Sequence, residues 1–491
     1  MQLNQQNLTQ LPAELNLPTY DRSQIKAGIV HVGVGGFHRS HEAYYTDELL
    51  RTGNGSDWGI CGVGLREADR KIATTLQEQD YLYTLIIKHP DGLVQNRVIG
   101  SLVGFLLGCD DAMAVIEQMA SPDTRIVSLT ITEGGYNVDP ASGEFDANNA
   151  DVLHDVQNPM QPRLVFGYLT AALRLRRERG LPAFTVQSCD NIQHNGDLTQ
   201  KMLLDFARLQ DADLAKWIED EVCFPNAMVD RITPVTTPAD LEYLEQQCGV
   251  QDGWPVNCEP FCQWIIEENF SSGRPEWEQV GAQFVADVTP YETMKLRLLN
   301  AGHSVLGLPG AVYGYQTIDQ TIGDDLFAAF LRGFFDQEAT PVLDAVEGID
   351  LELYKDTLIE RFGNPNIKDN LARICLGSSS KLPVFLFPTI RKNLDQGGPI
   401  AHAVLVIAAW CYYSDKHTDR HGNELDVVDE KKAALHEAAR NTATDPLAFI
   451  RLNSVFGDLA DNTRFAETYQ KMLTQIYSNP DVTILMRQVT N

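Results

Sequence analysis

Residues 28–39 read GIVHVGVGGFHR, and the fold turns on this stretch. GIVHVGV, at 28–34, is a short apolar run of the kind that makes a buried strand. Gly33, Gly35 and Gly36 follow, and from Gly36 to about residue 50 apolar residues recur at helical spacing (Phe37, Ala43, Tyr44, Leu49). Strand, glycine turn and helix in that order suit a phosphate-bearing ligand. Glycine lets the backbone turn tightly and come close to a pyrophosphate, and the start of the helix offers amide donors. His38 stands where the third glycine of G-x-G-x-x-G belongs, so the turn taken alone also fits an ordinary tight βα loop.

Working outward, further strands are expected at Trp58 to Val63, Arg125 to Ile131 and Ala183 to Ser188. A helix from about Arg163 to Arg179 is stopped by Gly180 and Pro182. Strands alternating with helices imply right-handed βαβ units and a parallel sheet. The alternation from Tyr81 to Leu107 predicts antiparallel strands at an edge of that sheet. Past about residue 287, helical patterns take over at 293–308, 323–336, 401–413 and 429–440. Pro309-Gly310, Pro341, Gly363 to Pro365 and Gly397 to Pro399 punctuate them. The expected fold is α/β. It has an N-terminal Rossmann-like domain with an extended sheet, residues 1–286, and a mostly α-helical C-terminal domain, residues 287–491.

Composition excludes several classes. With 491 residues, 44% of them hydrophobic, the chain can build a core without disulfide or metal staples. Its 39 basic and 67 acidic residues give a net charge of −28, which repels nucleic acid and anionic lipid, so neither is an expected partner. The longest apolar run, Val404 to Tyr413, is about half the ~20 residues a bilayer helix needs. The amino terminus, MQLNQQNLTQLPAELNLP, has neither the basic start nor the apolar core of a signal peptide. Nine scattered cysteines fit a reducing compartment, and a cytoplasmic protein is expected. Cys258 and Cys262 form a C-x3-C pair without a second pair or nearby histidines, so no metal site is expected there. The acidic stretch from Asp415 to Glu430 reads as a solvated surface.

Polar residues gather where the predicted strands end, which is where open parallel sheets bind ligands. The second strand runs into Gly64-Leu65-Arg66-Glu67-Ala68-Asp69. An acidic residue there suits a ribose 2′-hydroxyl and repels a 2′-phosphate. Asp69 is the candidate and Glu67 the next, while Arg66 is able to stack on adenine or hold a phosphate. The third strand ends in Thr130-Ile131-Thr132-Glu133-Gly134-Gly135-Tyr136, and the fourth in Ser188-Cys189-Asp190-Asn191. Residues 291–304 read YETMKLRLLNAGHS. At about 100° per residue, Glu292, Lys295, Asn300 and His303 share an arc of about 140°. Met294, Leu296, Leu298, Leu299 and Ala301 surround them, and a lysine desolvated in such a setting suits a general base.

The spacing Lys295-x4-Asn300-x2-His303 resembles the catalytic helix of the polyol-specific long-chain dehydrogenases. GVGGFHRSH at 33–41, TITEGGY at 130–136, SCDN at 188–191 and FPNAMVDRITP at 224–234 are similar to that family too. So are RFGNPNIKDNLARI at 361–374 and Ser380-Lys381-Leu382-Pro383, and the likeness runs from about residue 25 to beyond 400. The resemblance implies metal-independent hydride transfer between NAD and a polyol/ketose pair, D-mannitol and D-fructose first. D-arabinitol or D-sorbitol oxidation, a uronate reduction (fructuronate to mannonate) and a non-catalytic NAD sensor are the alternatives. It also implies a base, Lys295, with Asn191 and Asn300 donating to the alkoxide, His303 orienting the substrate and Glu292 relaying the proton. Asp230, Arg373 and Lys381 would take the other hydroxyls. Gly33, Gly35, Gly36, Phe37, His38, Arg39, Arg66, Asp69 and Glu133 would hold NAD. An Asp230–Arg231 structural ion pair, and Arg373 as a phosphate ligand or helix cap, stay open. The expected partner is a small polyol or ketose, and the expected working unit is a monomer.

Overall fold

The computed structural model describes residues 1–139 and 142–490, and the chain divides into two compact units. The first takes in residues 1–89 and 93–289, the second residues 90–92 and 290–491.

The first unit carries the strands β1 (Ala27–Val32), β2 (Gly59–Gly64), β3 (Tyr83–Lys88), β4 (Val94–Ile99), β5 (Leu102–Leu107), β6 (Ile126–Leu129), β7 (Thr185–Ser188), β8 (Ala227–Asp230), β9 (Val256–Cys258), β10 (Gln263–Glu267) and β11 (Gln283–Val285). Its central sheet has the order β5-β2-β1-β6-β7, with every pair parallel. All of β2, β6 and β7 is buried, as expected of strands covered on both faces. The period of two along β1 sends Val30 and Val32 into a core shared with helices Ala112–Ala120, Val165–Glu178 and Asn195–Gln210. It sends Ile29 into a second core with Leu49, Leu76 and Trp264. Strand order reverses between β1 and β6, and at such a switch point the carboxyl ends of the strands open a crevice.

Two expectations for this unit need correction. β3 and β4 are antiparallel, but they belong to a separate sheet, β4-β3-β9, inserted in the crossover from β2 to β5. The edge of the central sheet next to β2 is β5, which runs parallel to β2. Alternation within a strand reports which face is buried, not which neighbour it pairs with. The first helix is also broken, into Gly36–Ser40 and Glu42–Arg51, at His41 (φ −119°, ψ −89°). The His41 ring is drawn to the Gln263 carbonyl (2.9 Å) and packs edge-on against Trp264, tertiary contacts that no local pattern encodes.

The second unit is built from helices. Helix Ala401–Lys416 is buried all round from His402 to Ser414, which explains the apolar run read in the sequence. The helix expected at 293–308 instead runs from Thr289 to Tyr313, through Pro309-Gly310. An internal proline costs about 3 kcal/mol. Every residue from Ser304 to Val312 is buried, and at roughly 1.5–3 kcal/mol per large apolar side chain packing outweighs that loss. The acidic stretch is only partly a solvated surface. Buried Asp419 accepts from the amides of His421 (2.8 Å) and Asn423 (2.9 Å), and Asp429 accepts from the amide of Ser379 (2.9 Å). Among the described residues no helix is long and apolar enough to cross a membrane.

Candidate active site

At the switch point of the first unit, Gly33 has φ +95°, and a Cβ there would lie 2.1 Å from the Thr130 carbonyl oxygen. Only glycine fits. The Gly35 amide closes the turn on the Gly33 carbonyl (2.7 Å), and Thr130 Oγ1 donates to the same carbonyl (2.7 Å). A Cβ on Gly35 would meet only that carbonyl, at 3.8 Å, and one on Gly134 would meet nothing within 4 Å, so backbone is bared on both loops. This is a cradle suited to a pyrophosphate, and the fit to NAD rests on it. Beneath it lies Arg39, buried, with Nε donating to the Gly35 carbonyl (3.2 Å) and Nη1 to the Trp254 carbonyl. Its side chain braces the turn from below.

His38 is buried too, stacked on His31 with ring centroids 3.5 Å apart and planes 12° apart. Burial, with His31, Arg39 and His41 adding to it, pushes its pKa well below the usual imidazole value. His31, His38 and Glu42 bring three metal-type donors within 4.8 Å of one another. The stack argues against a shared ion. A histidine nitrogen binds zinc along its ring plane at about 2.0–2.1 Å, and an ion in one ring's plane would lie a full stacking distance out of the other's. Burial pushes the Cys258 thiol up to about 12 and raises that of Cys262, so both thiols stay protonated in the metal-free protein.

Past β2, Asp69 Oδ2 accepts from the Arg66 amide (2.9 Å), so one carboxylate oxygen shapes the loop while the Arg66 side chain stays exposed. Glu67 is committed to Arg70 (2.8 Å), which also bonds Asp110 (2.8 Å). That leaves Asp69 the better ribose candidate of the two. Past β6 and β7, Glu133 and Asn191 are both exposed, and between them Asp190 is buried. Burial raises the Asp190 pKa, against hydrogen bonds from Ile131, Tyr136 and Thr132 that hold it down. Asp230 ends β8 and is buried. Arg231 donates to the carbonyls of Ser40 (2.6 Å) and Glu259 (3.1 Å).

In the second unit the polar helix face is built on an irregular helix. The segment is α-helical over Thr289–Lys295, π-helical over Leu296–Asn300 and α-helical again from Ala301. A uniform 100° step therefore does not hold between Lys295 and Asn300. Bonding from i to i+5 re-phases Asn300 and His303 against Lys295, and such turns are frequent at functional sites. Lys295 is 6% exposed and Glu292 4%. The Asn300 Oδ1 is buried without a hydrogen-bond partner, and His303 packs on Phe362 with centroids 4.4 Å apart. Arg297, which the sequence reading passed over, donates from the π turn to the carbonyls of Val384 and Phe385. It thereby anchors the turn to the end of helix Ser378–Phe385, which carries Lys381. Lys381 Nζ donates to the Ile374 carbonyl (3.1 Å), and Arg373, its side chain 64% exposed, is paired with Asp369 (2.7 Å).

Comparison with known proteins matches this architecture along its length. Residues 27–279 match the mannitol dehydrogenase Rossmann domain, and residues 287–477 match the mannitol dehydrogenase C-terminal domain. A mannitol 2-dehydrogenase of Aspergillus fumigatus is 44% identical over 476 residues, covering 95% of this chain and 94% of that one. One from Aspergillus oryzae is 43% identical, covering 97% of each. Among solved structures, Pseudomonas fluorescens mannitol 2-dehydrogenase in ternary complex with NAD and D-mannitol superposes with a TM-score of 0.88. It is 46% identical and covers 100% of this chain and 99% of that one. A substrate-free D-sorbitol dehydrogenase superposes at 0.92 with 38% identity, covering 99% and 100%. The chain belongs to the mannitol dehydrogenase family.

Proposed function

We propose that this protein is an NAD-dependent, metal-independent polyol 2-dehydrogenase interconverting D-mannitol and D-fructose. The carrying observation is Lys295, buried on the helix that also bears Glu292, Asn300 and His303, in a chain 46% identical to a protein whose structure is a ternary complex with NAD and D-mannitol. Residues 1–286 bind the cofactor, through the glycine turn of Gly33, Gly35, Gly36 and Phe37, through Asp69 and Arg66, and along the Glu133 loop. His38 and Arg39 support that turn from beneath. Residues 287–491 supply the chemistry and most of the sugar recognition. NAD, when bound, accepts the hydride from the carbinol carbon.

The chain's own residues handle the proton and the oxygen. Lys295 takes the hydroxyl proton, and the amides of Asn191 and Asn300 donate to the oxygen as negative charge develops on it. Preorganised donors of this kind stabilise a developing oxyanion without a metal. Glu292, one turn before the lysine, passes the proton to water, and His303 orients the substrate. Asp230, Lys381 and Arg373 take the remaining hydroxyls. We also propose a cytoplasmic monomer as the working form.

D-Sorbitol or D-arabinitol is the second reading, favoured by the likeness to D-sorbitol dehydrogenase. A uronate substrate is disfavoured, since a net charge of −28 repels an anion. A binding-only sensor has no use for a buried base. Initial rates of the purified protein with D-mannitol, D-sorbitol, D-arabinitol and two uronates, each with NAD and NADP, test the proposal. D-Mannitol with NAD is expected to give the highest kcat/KM, and no turnover of any polyol would overturn it.

A further inference from the structure

We propose that Asp190 is a positioning residue for the reaction: its buried carboxylate ties the loop after β6 to the loop after β7 and thereby fixes the amide of Asn191. This rests on the role proposed above for Asn191.

Asp190 is 7% exposed, yet three donors converge on it. Its Oδ2 accepts from the Ile131 amide (3.0 Å) and the Tyr136 hydroxyl (2.8 Å), and its Oδ1 from the Thr132 amide (2.9 Å). All three lie on the loop after β6. The backbone of Asp190 is held from the other side. Asn195 Nδ2 donates to the Asp190 carbonyl (3.0 Å) and to the Ala227 carbonyl of β8 (2.8 Å), and the Ala227 amide returns a bond to Asn195 Oδ1 (2.9 Å). The preceding residue is pinned as well, its amide donating to the Leu129 carbonyl of β6 (2.8 Å). Asn191 is therefore the exposed residue next to one that is fixed on both sides.

The chemistry requires a carboxylate at this point. Three donors need an acceptor with two oxygens and no hydrogen, and an amide would turn an NH2 toward at least one of them. One of those donors is also conformationally unusual. Thr132 has φ +60° and ψ 170°, a region open to glycine and avoided by β-branched residues. The bond from its amide to Asp190, together with the Gly135 amide donating to its carbonyl (2.9 Å), holds it there, and Glu133 is the next residue along. Asp190 thus holds in register two loops at the carboxyl ends of β6 and β7. Neither Asp190 nor its partners need touch the reacting atoms for a small displacement of Asn191 to be felt in kcat.

The test is a kinetic cycle over Asp190→Asn, Asn191→Ala and the double variant, with NADH binding and thermal unfolding measured alongside. Asp190→Asn is expected to lower kcat for polyol oxidation by about tenfold to a hundredfold, with KM for NAD changed by less than about threefold. In the Asn191→Ala background the same substitution should cost less than about threefold, because the group it positions is gone. Adding Thr132→Gly to Asp190→Asn should recover part of the lost kcat, since glycine takes that φ without help. If Asp190→Asn folds poorly, Tyr136→Phe removes one donor to the same carboxylate, and its smaller loss should likewise vanish in the Asn191→Ala background. Unchanged kcat in Asp190→Asn, or a loss that adds in full to that of Asn191→Ala, would overturn the proposal while leaving the role of Asn191 standing. Wild-type kcat in Asn191→Ala itself would remove the proposed role of Asn191, and the role of Asp190 with it.

Discussion

The glycine turn after β1 and the π turn between Lys295 and Asn300 place polar groups by opposite means. The first works through main chain. Gly33 turns it, Gly35 bares it, and the side chains of buried Arg39 and half-buried Thr130 are spent on its carbonyls. The second works through side chains, and a widened helical turn, anchored by Arg297, sets the direction in which Asn300 and His303 leave the helix. Binding a dinucleotide tolerates many side chains so long as the backbone is free. Moving one proton requires particular side chains at one phase. Substitutions in the two regions should therefore fail differently, one in cofactor affinity and the other in turnover.

The largest expected effect is at Lys295. Lys295→Ala should cut turnover by about 10²–10⁴-fold, the usual contribution of a general base, while NADH affinity stays within about threefold of wild type. Stopped-flow turnover and NADH fluorescence titration on the same preparation separate the two. More than about a tenth of wild-type turnover at neutral pH would remove Lys295 as base. A parallel loss of NADH binding would break the division of labour between the regions.

A smaller effect is expected at Asp69. The dianionic 2′-phosphate of NADP meets a carboxylate there, and a like-charge clash of about 1.4 kcal/mol or more corresponds to roughly tenfold preference for NAD in kcat/KM. Asp69→Ala should narrow that ratio mainly by improving NADP use, with Arg66 left to meet the phosphate. Equal use of both cofactors by the wild type would assign the pocket to Arg66. An unchanged ratio in the variant would shift the determinant to another residue. Glu67 is the next to test, although Arg70 already holds it.

The same contrast explains what could be read from the chain. β1, β2 and β6 were legible because a strand buried on both faces is mostly apolar. β7 was less so, because it buries Thr185, Gln187 and Ser188. Gly33 was legible because a tight turn between strand and helix admits little else. The candidate residues Lys295, Asn300 and His303 were legible as a polar set in an apolar helix. Their relative phase was not, because a π turn is decided by what Arg297 and its neighbours pack against, and periodicity assumes regular bonding. Long-range partners hid the remainder. The hairpin β3–β4 pairs with β9, far along the chain, and the helix breaks at His41 because of Gln263 and Trp264. Asp190 stood in plain view beside Asn191, but a buried carboxylate and a solvated one look alike in sequence. Its signal was indirect: the small and aromatic residues of Glu133-Gly134-Gly135-Tyr136 mark a loop that needs holding.

The central claim is that amides and a lysine, not a metal ion, manage the charge on the reacting oxygen. The most direct measurement is D-mannitol oxidation by the purified protein before and after exhaustive chelation, with elemental analysis of both samples. The account predicts equal rates and no stoichiometric metal in either. Loss of activity on chelation that zinc restores would contradict it, and would send attention back to Cys258 and Cys262 and to the stacked pair His31 and His38.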